Sequence, residues 1–269
     1  MTKGGFAYGK PLQPMTNFPS LTLIALPGIP IVKDGDDLAR LIFDALERAA
    51  VSLQAGDVLV VTSKIVSKAE GRTIRLSDVQ PSADALKWAA QTGKDPRVVE
   101  LVLRESTSVS RAAPNVLVVQ HRLGFVSANG GIDQSNVDGT DERVLLLPLD
   151  PDASAAALRA RLGAVTGIEV GVILCDSHGR PFRFGNVGVA IGVAGMPALI
   201  DLRGQTDLFG RVLKISIQGY ADMVASAACL LTGEGGEGLP VVLVRGLNFP
   251  AQAGQAADIY RPPEQDLYR

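Results

Sequence analysis

The sequence predicts an α+β fold with mixed sheets and flanking helices. Short β-branched runs bounded by turns read as buried strands: Val58 to Val61, Val116 to Val119, Val170 to Cys175 and Val241 to Val244. Amphipathic stretches at helical spacing lie between them. The two kinds of element alternate irregularly, not as regular strand-helix units, which points away from a doubly wound sheet.

Taken in order, Leu21 to Leu26 reads as a strand, and Pro27-Gly28-Ile29-Pro30 turns the chain towards a helix from about Asp36 to Leu53. Leu38, Leu41, Ile42, Ala45, Leu46 and Ala49 recur on one face of that helix. Gly56-Asp57 ends the unit, and the strand Val58 to Val61 delivers Thr62-Ser63-Lys64 to a loop. Helices are expected from Ser82 to Gln91, with Gly93 past its end, and from Pro96 to Arg104, with Asp95 as N-cap. Phe125 to Ala128 is expected to pair with the strand at Val116, before the aperiodic loop from Gly130 to Asn136. Asp150-Pro151 starts an Ala-rich helix ending near Gly163, and the strand Val170 to Cys175 runs into a polar loop at Asp176. The last helix spans about Gly219 to Leu231, with Tyr220, Met223, Val224, Ala227, Ala228 and Leu231 on one side.

Composition narrows the function classes. The chain has 269 residues, 46% of them hydrophobic, enough to bury one substantial core or two modest ones. A formal charge of -2 provides no excess for binding a polyanion or an anionic membrane, so nucleic acid and membrane surfaces are not expected partners. Cys175 and Cys229, the only cysteines, sit in apolar sequence as small reduced hydrophobes, which excludes a disulfide framework and a thiolate metal cluster. The first twenty residues lack the pattern of a secretion signal. Glycines and Pro197 break the apolar run Val187 to Ile200, so no membrane span is expected. The cytoplasm is the expected compartment.

Several polar loops at element ends carry groups suited to a metal or to phosphates, which is where sites are built. Asp176, beside Ser177, reads either as an oxygen ligand for a hard cation or as a turn cap. Asp133, in Gly130-Gly131-Ile132-Asp133-Gln134-Ser135-Asn136, reads either as a second ligand or as part of a self-capping glycine turn. Gly233, Gly235 and Gly238 match the Gly-x-Gly-x-x-Gly spacing, but a helix precedes and a strand follows, the reverse of a dinucleotide fingerprint. Glu234 and Glu237 in that loop would repel a phosphate unless a cation lay between; the residues alone favour a solvated turn. Ser63, Lys64 and Lys68 could bind phosphate, although a Lys pair at this spacing is more often a solvated face. Arg180 and Arg183 could neutralise an anion or pair locally. With His121 and His178 the only histidines, a His-rich zinc site is impossible; His178 could act as an acid or base or have no chemical role. No nucleophile elbow of the Gly-x-Ser-x-Gly type is present.

In order and wording these segments resemble one family. They are Gly28-Ile29-Pro30 with Gly35-Asp36-Asp37-Leu38, Thr62 to Gly71, Gly131 to Asn136, Asp176-Ser177-His178-Gly179-Arg180-Pro181-Phe182-Arg183, Thr232-Gly233-Glu234 and Val244-Arg245-Gly246. The family is the coenzyme F-420 glutamate ligases, and the likeness covers residues 21–249, leaving an N-terminal extension at 1–20 and a C-terminal tail at 250–269. The resemblance implies GTP-dependent addition of L-glutamate, through γ-linkages, to a deazaflavin coenzyme precursor by way of an acyl phosphate. It implies two divalent metals, Mg²⁺ or Mn²⁺, one on Asp133 and Asp176 as the catalytic pair and a second on Ser177 and Glu234. It places GTP on Ile29, Pro30, Ile31 and Val32, on Ser63, Lys68 and Asn136, and on the loop Thr232, Gly233, Glu234, Gly235, Gly236, Glu237, Gly238 and Leu239. It also implies the fold of that family and an intertwined homodimer, for which Val187 to Gly195 is the candidate tight-packing stretch.

Some relatives add a flavin-reductase-like domain, for which this sequence has no room, so a different glutamylation range is expected. Two other readings share the motif set: a nucleotide-dependent ligase acting on another phosphate-bearing acid, and a non-catalytic nucleotide- or deazaflavin-binding protein. Asp133, Asp176 and Glu234 together argue against the second of these.

Overall fold

The computed structural model describes residues 19–266, so the expected N-terminal extension falls outside the described residues except for Pro19 and Ser20, and so does the end of the tail. Among the described residues the fold is α+β, with six α-helices and mixed sheets.

The central sheet has the order β1-β12-β2-β8-β9, formed by β1 (Thr22–Ala25), β2 (Val58–Thr62), β8 (Gly171–Arg180), β9 (Arg183–Ala194) and β12 (Val241–Arg245). Only β2 and β8 run parallel. Strand alternation divides its side chains between two layers. Leu59, Val61, Val172, Leu174 and Leu243 pack with α1 (Leu38–Arg48) and α5 (Pro151–Thr166). Val58, Val60, Ile173, Cys175, Val242 and Val244 pack with α6 (Tyr220–Thr232). Each fully buried Leu or Ile in these layers stabilises the fold by about 1.5–3 kcal/mol. A third apolar cluster joins α3 (Ala83–Thr92) and α4 (Pro96–Arg104) to β4 (Ser106–Ala113), β5 (Val116–His121) and the pair β3 (Thr73–Arg75) and β7 (Arg143–Leu145). As expected, β6 (Val126–Ala128) pairs with β5.

Several boundaries differ from the sequence reading. Helix α1 begins at Leu38, because the Asp37 side chain accepts from Arg40 N–H as the N-cap, and it stops before Ala50, whose φ is positive. Thr62-Ser63-Lys64 does not enter a loop: Ser63 opens the short helix α2 (Ser63–Ala69). Helix α5 runs through Gly163 to Thr166 and ends on Gly167 in the left-handed conformation. Asp176, Ser177 and His178 lie on a strand, since β8 continues to Arg180 against β9. On α6 the buried set is Ala221, Val224, Ala225 and Ala228, while Met223 is exposed, because the small face must approach the sheet. The tail beyond Phe249 is not all peripheral: Ala256 is buried and Tyr260 packs against Phe125.

Two glycines of β9 serve packing inside the chain. A Cβ on Gly188 would meet the Ala225 carbonyl of α6 at 2.7 Å, and one on Gly192 would strike the Pro151 carbonyl of α5. The Asp222 and Asp152 carboxylates accept from Ala190 N–H and Val193 N–H, which satisfies backbone donors on this edge strand. Among the described residues no helix is long and apolar enough to cross a membrane.

Candidate functional site

The register of the central sheet brings the sequence-predicted segments to one edge. Leu26 N–H donates to Val241 C=O and Thr62 N–H to Pro240 C=O, both at 2.9 Å, and Thr62 pairs with Cys175 across the parallel strands. The segments following β1 and β2, the second half of β8 and the segment preceding β12 therefore emerge side by side. Ile29 to Val32, Ser63 to Lys68, Asp176 to His178 and Thr232 to Leu239 belong to those four segments.

Alternation along β8 then separates neighbours. Cys175 faces α6, so Asp176 and His178 point to the opposite face and Ser177 to the α6 side. The Asp176 carboxylate accepts from Ser63 Oγ at 3.1 Å and lies 2.9 Å from His178 Nε2. The Ser177 hydroxyl donates to Glu234, at the start of the loop that α6 delivers.

Asp133 reaches the Asp176 side from the loop after β6. Its backbone exchanges hydrogen bonds with Leu145 at 3.0 and 2.8 Å, which fixes the direction of the carboxylate. Gly131 makes the approach possible: its φ is +66°, and a Cβ there would strike Leu147 at 2.7 Å and lie 3.5 Å from Asp176 Oδ2. Asp133 accepts from Lys64 Nζ and from Ser135 N–H at 2.7 Å. Burial alone would raise its pKa, but Lys64 and Ser135 hold it below the usual carboxylate range.

A second polar chain links the same elements. Lys68 Nζ donates to Asn136 C=O at 2.7 Å, and Asn136 Nδ2 donates to Gly235 C=O at 2.9 Å. Burial, then the neighbouring Lys64, lower the Lys68 pKa. Within the glycine loop the two glutamates diverge. Glu237 folds back to accept from Gly235 N–H at 2.9 Å and fills the space a side chain on Gly233 would need, whereas Glu234 reaches Ser177. Gly236 and Gly238 are exposed, and Thr232 and Leu239 are half-buried.

In the first segment Val32 is buried in the core and Ile29 packs against it, while Pro30 and Ile31 point outwards. Val32 anchors the turn, so a ligand there would meet backbone and the exposed pair. Ser135 is the participant that the sequence did not single out, and Lys64, a candidate phosphate ligand in the sequence, engages Asp133 and Ser135 instead.

Asp133, Asp176, Ser177 and Glu234 are all oxygen donors, which in kind suits a hard divalent cation. Among the described residues no three His, Cys, Asp or Glu side chains are gathered as a metal-binding group. Instead Lys64 engages Asp133, Ser63 and His178 engage Asp176, and Ser177 engages Glu234. Arg180 Nε, at the end of this cluster's strand, is buried without a hydrogen-bond partner among the described residues, and its Nη2 lies 3.4 Å from Phe184 C=O.

A family profile described as "F420-0:Gamma-glutamyl ligase" matches residues 28–246. A protein of Methanopyrus kandleri named "Coenzyme F420:L-glutamate ligase" is 46% identical over 259 residues, covering 95% of this chain and 100% of that one. Proteins of the same name from Methanothermobacter thermautotrophicus and Archaeoglobus fulgidus are 44% and 47% identical, over 93% and 90% of this chain and 99% and 94% of theirs. With the profile spanning most of the chain and all four converging segments inside it, this protein belongs to the F-420-0:gamma-glutamyl ligase family.

Proposed function

We propose that the protein is a GTP-dependent ligase that adds L-glutamate by γ-linkage to the deazaflavin coenzyme F-420 precursor. The observation carrying this reading is the convergence of Ser63 to Lys68, Asp133 to Asn136, Asp176 to Ser177 and Glu234 to Gly235 through direct hydrogen bonds at one sheet edge. The names of the relatives supply the substrate class.

In the proposed reaction the GTP γ-phosphoryl group passes to the precursor carboxylate, giving an acyl phosphate and GDP. The glutamate amine then attacks the acyl carbon and expels inorganic phosphate. Lys64 and Lys68 lie where two cations can neutralise phosphate oxygens, and Asn136 with the Gly233 to Gly238 backbone shapes the cradle. The carboxylates of Asp133 and Asp176 on one face of β8, and Ser177 with Glu234 on the other, would hold two divalent cations. Such cations supply charge stabilisation for phosphoryl transfer. Lys64 must leave Asp133 for a cation to take its place, which releases its ammonium for phosphate.

A homodimer is part of the proposal. It is supported by the apolar side chains exposed at the β8–β9 turn, Phe182 and Phe184, and along the following segment at Leu208, Phe209 and Ile215, surface that a second copy would cover. Light scattering on the purified protein should give twice the chain mass; the mass of a single chain would remove this part of the reading.

The deciding experiment is incubation with glutamate-free coenzyme, GTP, glutamate and Mg²⁺ or Mn²⁺, followed by mass spectrometry. Addition of glutamyl units with release of GDP is expected. Unchanged coenzyme with intact GTP would overturn the proposal, and GDP release only with a different acceptor would reassign the substrate.

A further inference from the structure

The two cysteines, separated by 54 residues in sequence, meet between β8 and α6. Their sulfurs are 3.4 Å apart and both are free thiols. Cys175 is buried and Cys229 is half-buried, so Cys229 is the more accessible residue of the two. The contact depends on Gly188 of β9, where a Cβ would lie 2.5 Å from Cys229 Sγ. Neither sulfur is among the groups proposed to bind nucleotide or metal.

We propose that Cys175 and Cys229 form a reversible oxidation site that a hydroperoxide closes into a disulfide between β8 and α6. The Cys229 sulfur attacks the outer oxygen of the peroxide, breaking the O–O bond, becoming a sulfenic acid and releasing an alcohol or water. The Cys175 sulfur then attacks the Cys229 sulfur, and hydroxide leaves with the Cys175 proton as water. Two thiols are oxidised by two electrons and one hydroperoxide is reduced. The order follows from access, since Cys229 is half-buried and Cys175 is buried beside it.

Closure draws the sulfurs from 3.4 Å to a bond of roughly 2.05 Å, and the elements carrying them must follow. Cys175 directly precedes Asp176, and Cys229 lies one helical turn before Thr232, so the bond tethers the strand of Asp176 and Ser177 to the helix that delivers Glu234. The expected effect on activity rests on the proposed ligase reading, whereas the chemistry of the bond does not.

The test is graded treatment of the purified protein with hydrogen peroxide, a catalase quench, alkylation and non-reducing peptide mapping. A single linked peptide pair joining positions 175 and 229, removed by dithiothreitol, is expected. In Cys175→Ser, with folding checked by circular dichroism, dimedone should label Cys229 without any crosslink. Wild-type protein in which both cysteines still alkylate after peroxide, or which gains oxygen without a crosslink, or which links only between chains, overturns the proposal. If ligase activity is established, it should fall about a hundredfold on oxidation, as for ångström-scale misplacement of a site, and return on reduction. Unchanged activity with the crosslink confirmed would overturn the coupling to the site but leave the bond itself demonstrated.

Discussion

Lys64 donates one ammonium to both the carboxylate of Asp133 and the backbone carbonyl of Ser135, the latter at 2.6 Å, while its neighbour Ser63 donates to Asp176 at 3.1 Å. Two consecutive residues at the start of α2 thus hold the two aspartates that the motifs single out. If Lys64 holds the 133–136 loop in place, Lys64→Met should increase hydrogen exchange across residues 132–137. Under the proposed function, turnover should fall by about a hundredfold, because the cation proposed to neutralise phosphate is lost. Unaltered exchange and near-normal turnover would show that this contact does neither job.

Asp133→Asn and Asp176→Asn should each abolish glutamate addition with an unchanged circular dichroism spectrum. Each amide keeps the shape of the carboxylate but loses its charge, so the divalent cation proposed at this site should bind more weakly. Activity within about threefold of wild type in either variant would remove that residue from the proposed metal site.

Gly192→Ala tests how α5 meets the sheet. The added methyl would strike the Pro151 carbonyl, and overpacking of this kind costs about 1–3 kcal/mol, read as a lower midpoint in urea. An unchanged midpoint would mean that α5 moves away without cost.

Glu105 ties the third cluster to the rest of the chain. It accepts from Arg72 and Arg122, each at 2.9 Å, while those arginines also donate to the Leu147 and Leu149 carbonyls. Burial opposes its ionisation, but His121, Arg122 and Arg72 outweigh this and hold its pKa at about 2, against 4.5 for the free side chain. A depressed folded-state pKa stabilises the protein above the unfolded value, and that contribution is lost as pH falls from 4.5 towards about 2. Glu105→Gln should cost about 3 kcal/mol at neutral pH and flatten this acid limb. An identical acid profile in the variant would exclude Glu105 as its source.

Tyr260 separates packing from hydrogen bonding in the tail. Its ring lies edge-on to Phe125 at 6.0 Å, its hydroxyl is buried without a partner among the described residues, and burial pushes its pKa upwards. Tyr260→Phe should therefore be neutral or slightly stabilising, and Tyr260→Ala should lose about 3 kcal/mol. Equal losses in both variants would mean that the hydroxyl has a partner after all.

Local pattern was sufficient for much of this protein. The β-branched runs specified β2, β8 and β12, the caps at Asp95 and Asp150 placed α4 and α5, and the order of short motifs identified the family. These features are legible because capping, periodicity and motif spacing are properties of residues a few positions apart. The extension of β8 through Asp176 and the helical start at Ser63 were not legible, since polar residues adopt strand or helix there only because β9 and Asp176 supply partners from elsewhere. The short strands β3 and β7 likewise exist only through pairing with each other. The site depended on tertiary structure in the same way. Sequence alone determined that Asp133, Asp176, Ser177 and Glu234 are present, and that Asp176 precedes Ser177. The tertiary structure decided that Lys64 meets Asp133, that Asp176 and Ser177 face opposite layers, and that Cys175 meets Cys229. The register of a parallel pair joins residues more than a hundred positions apart, and no local pattern encodes that distance.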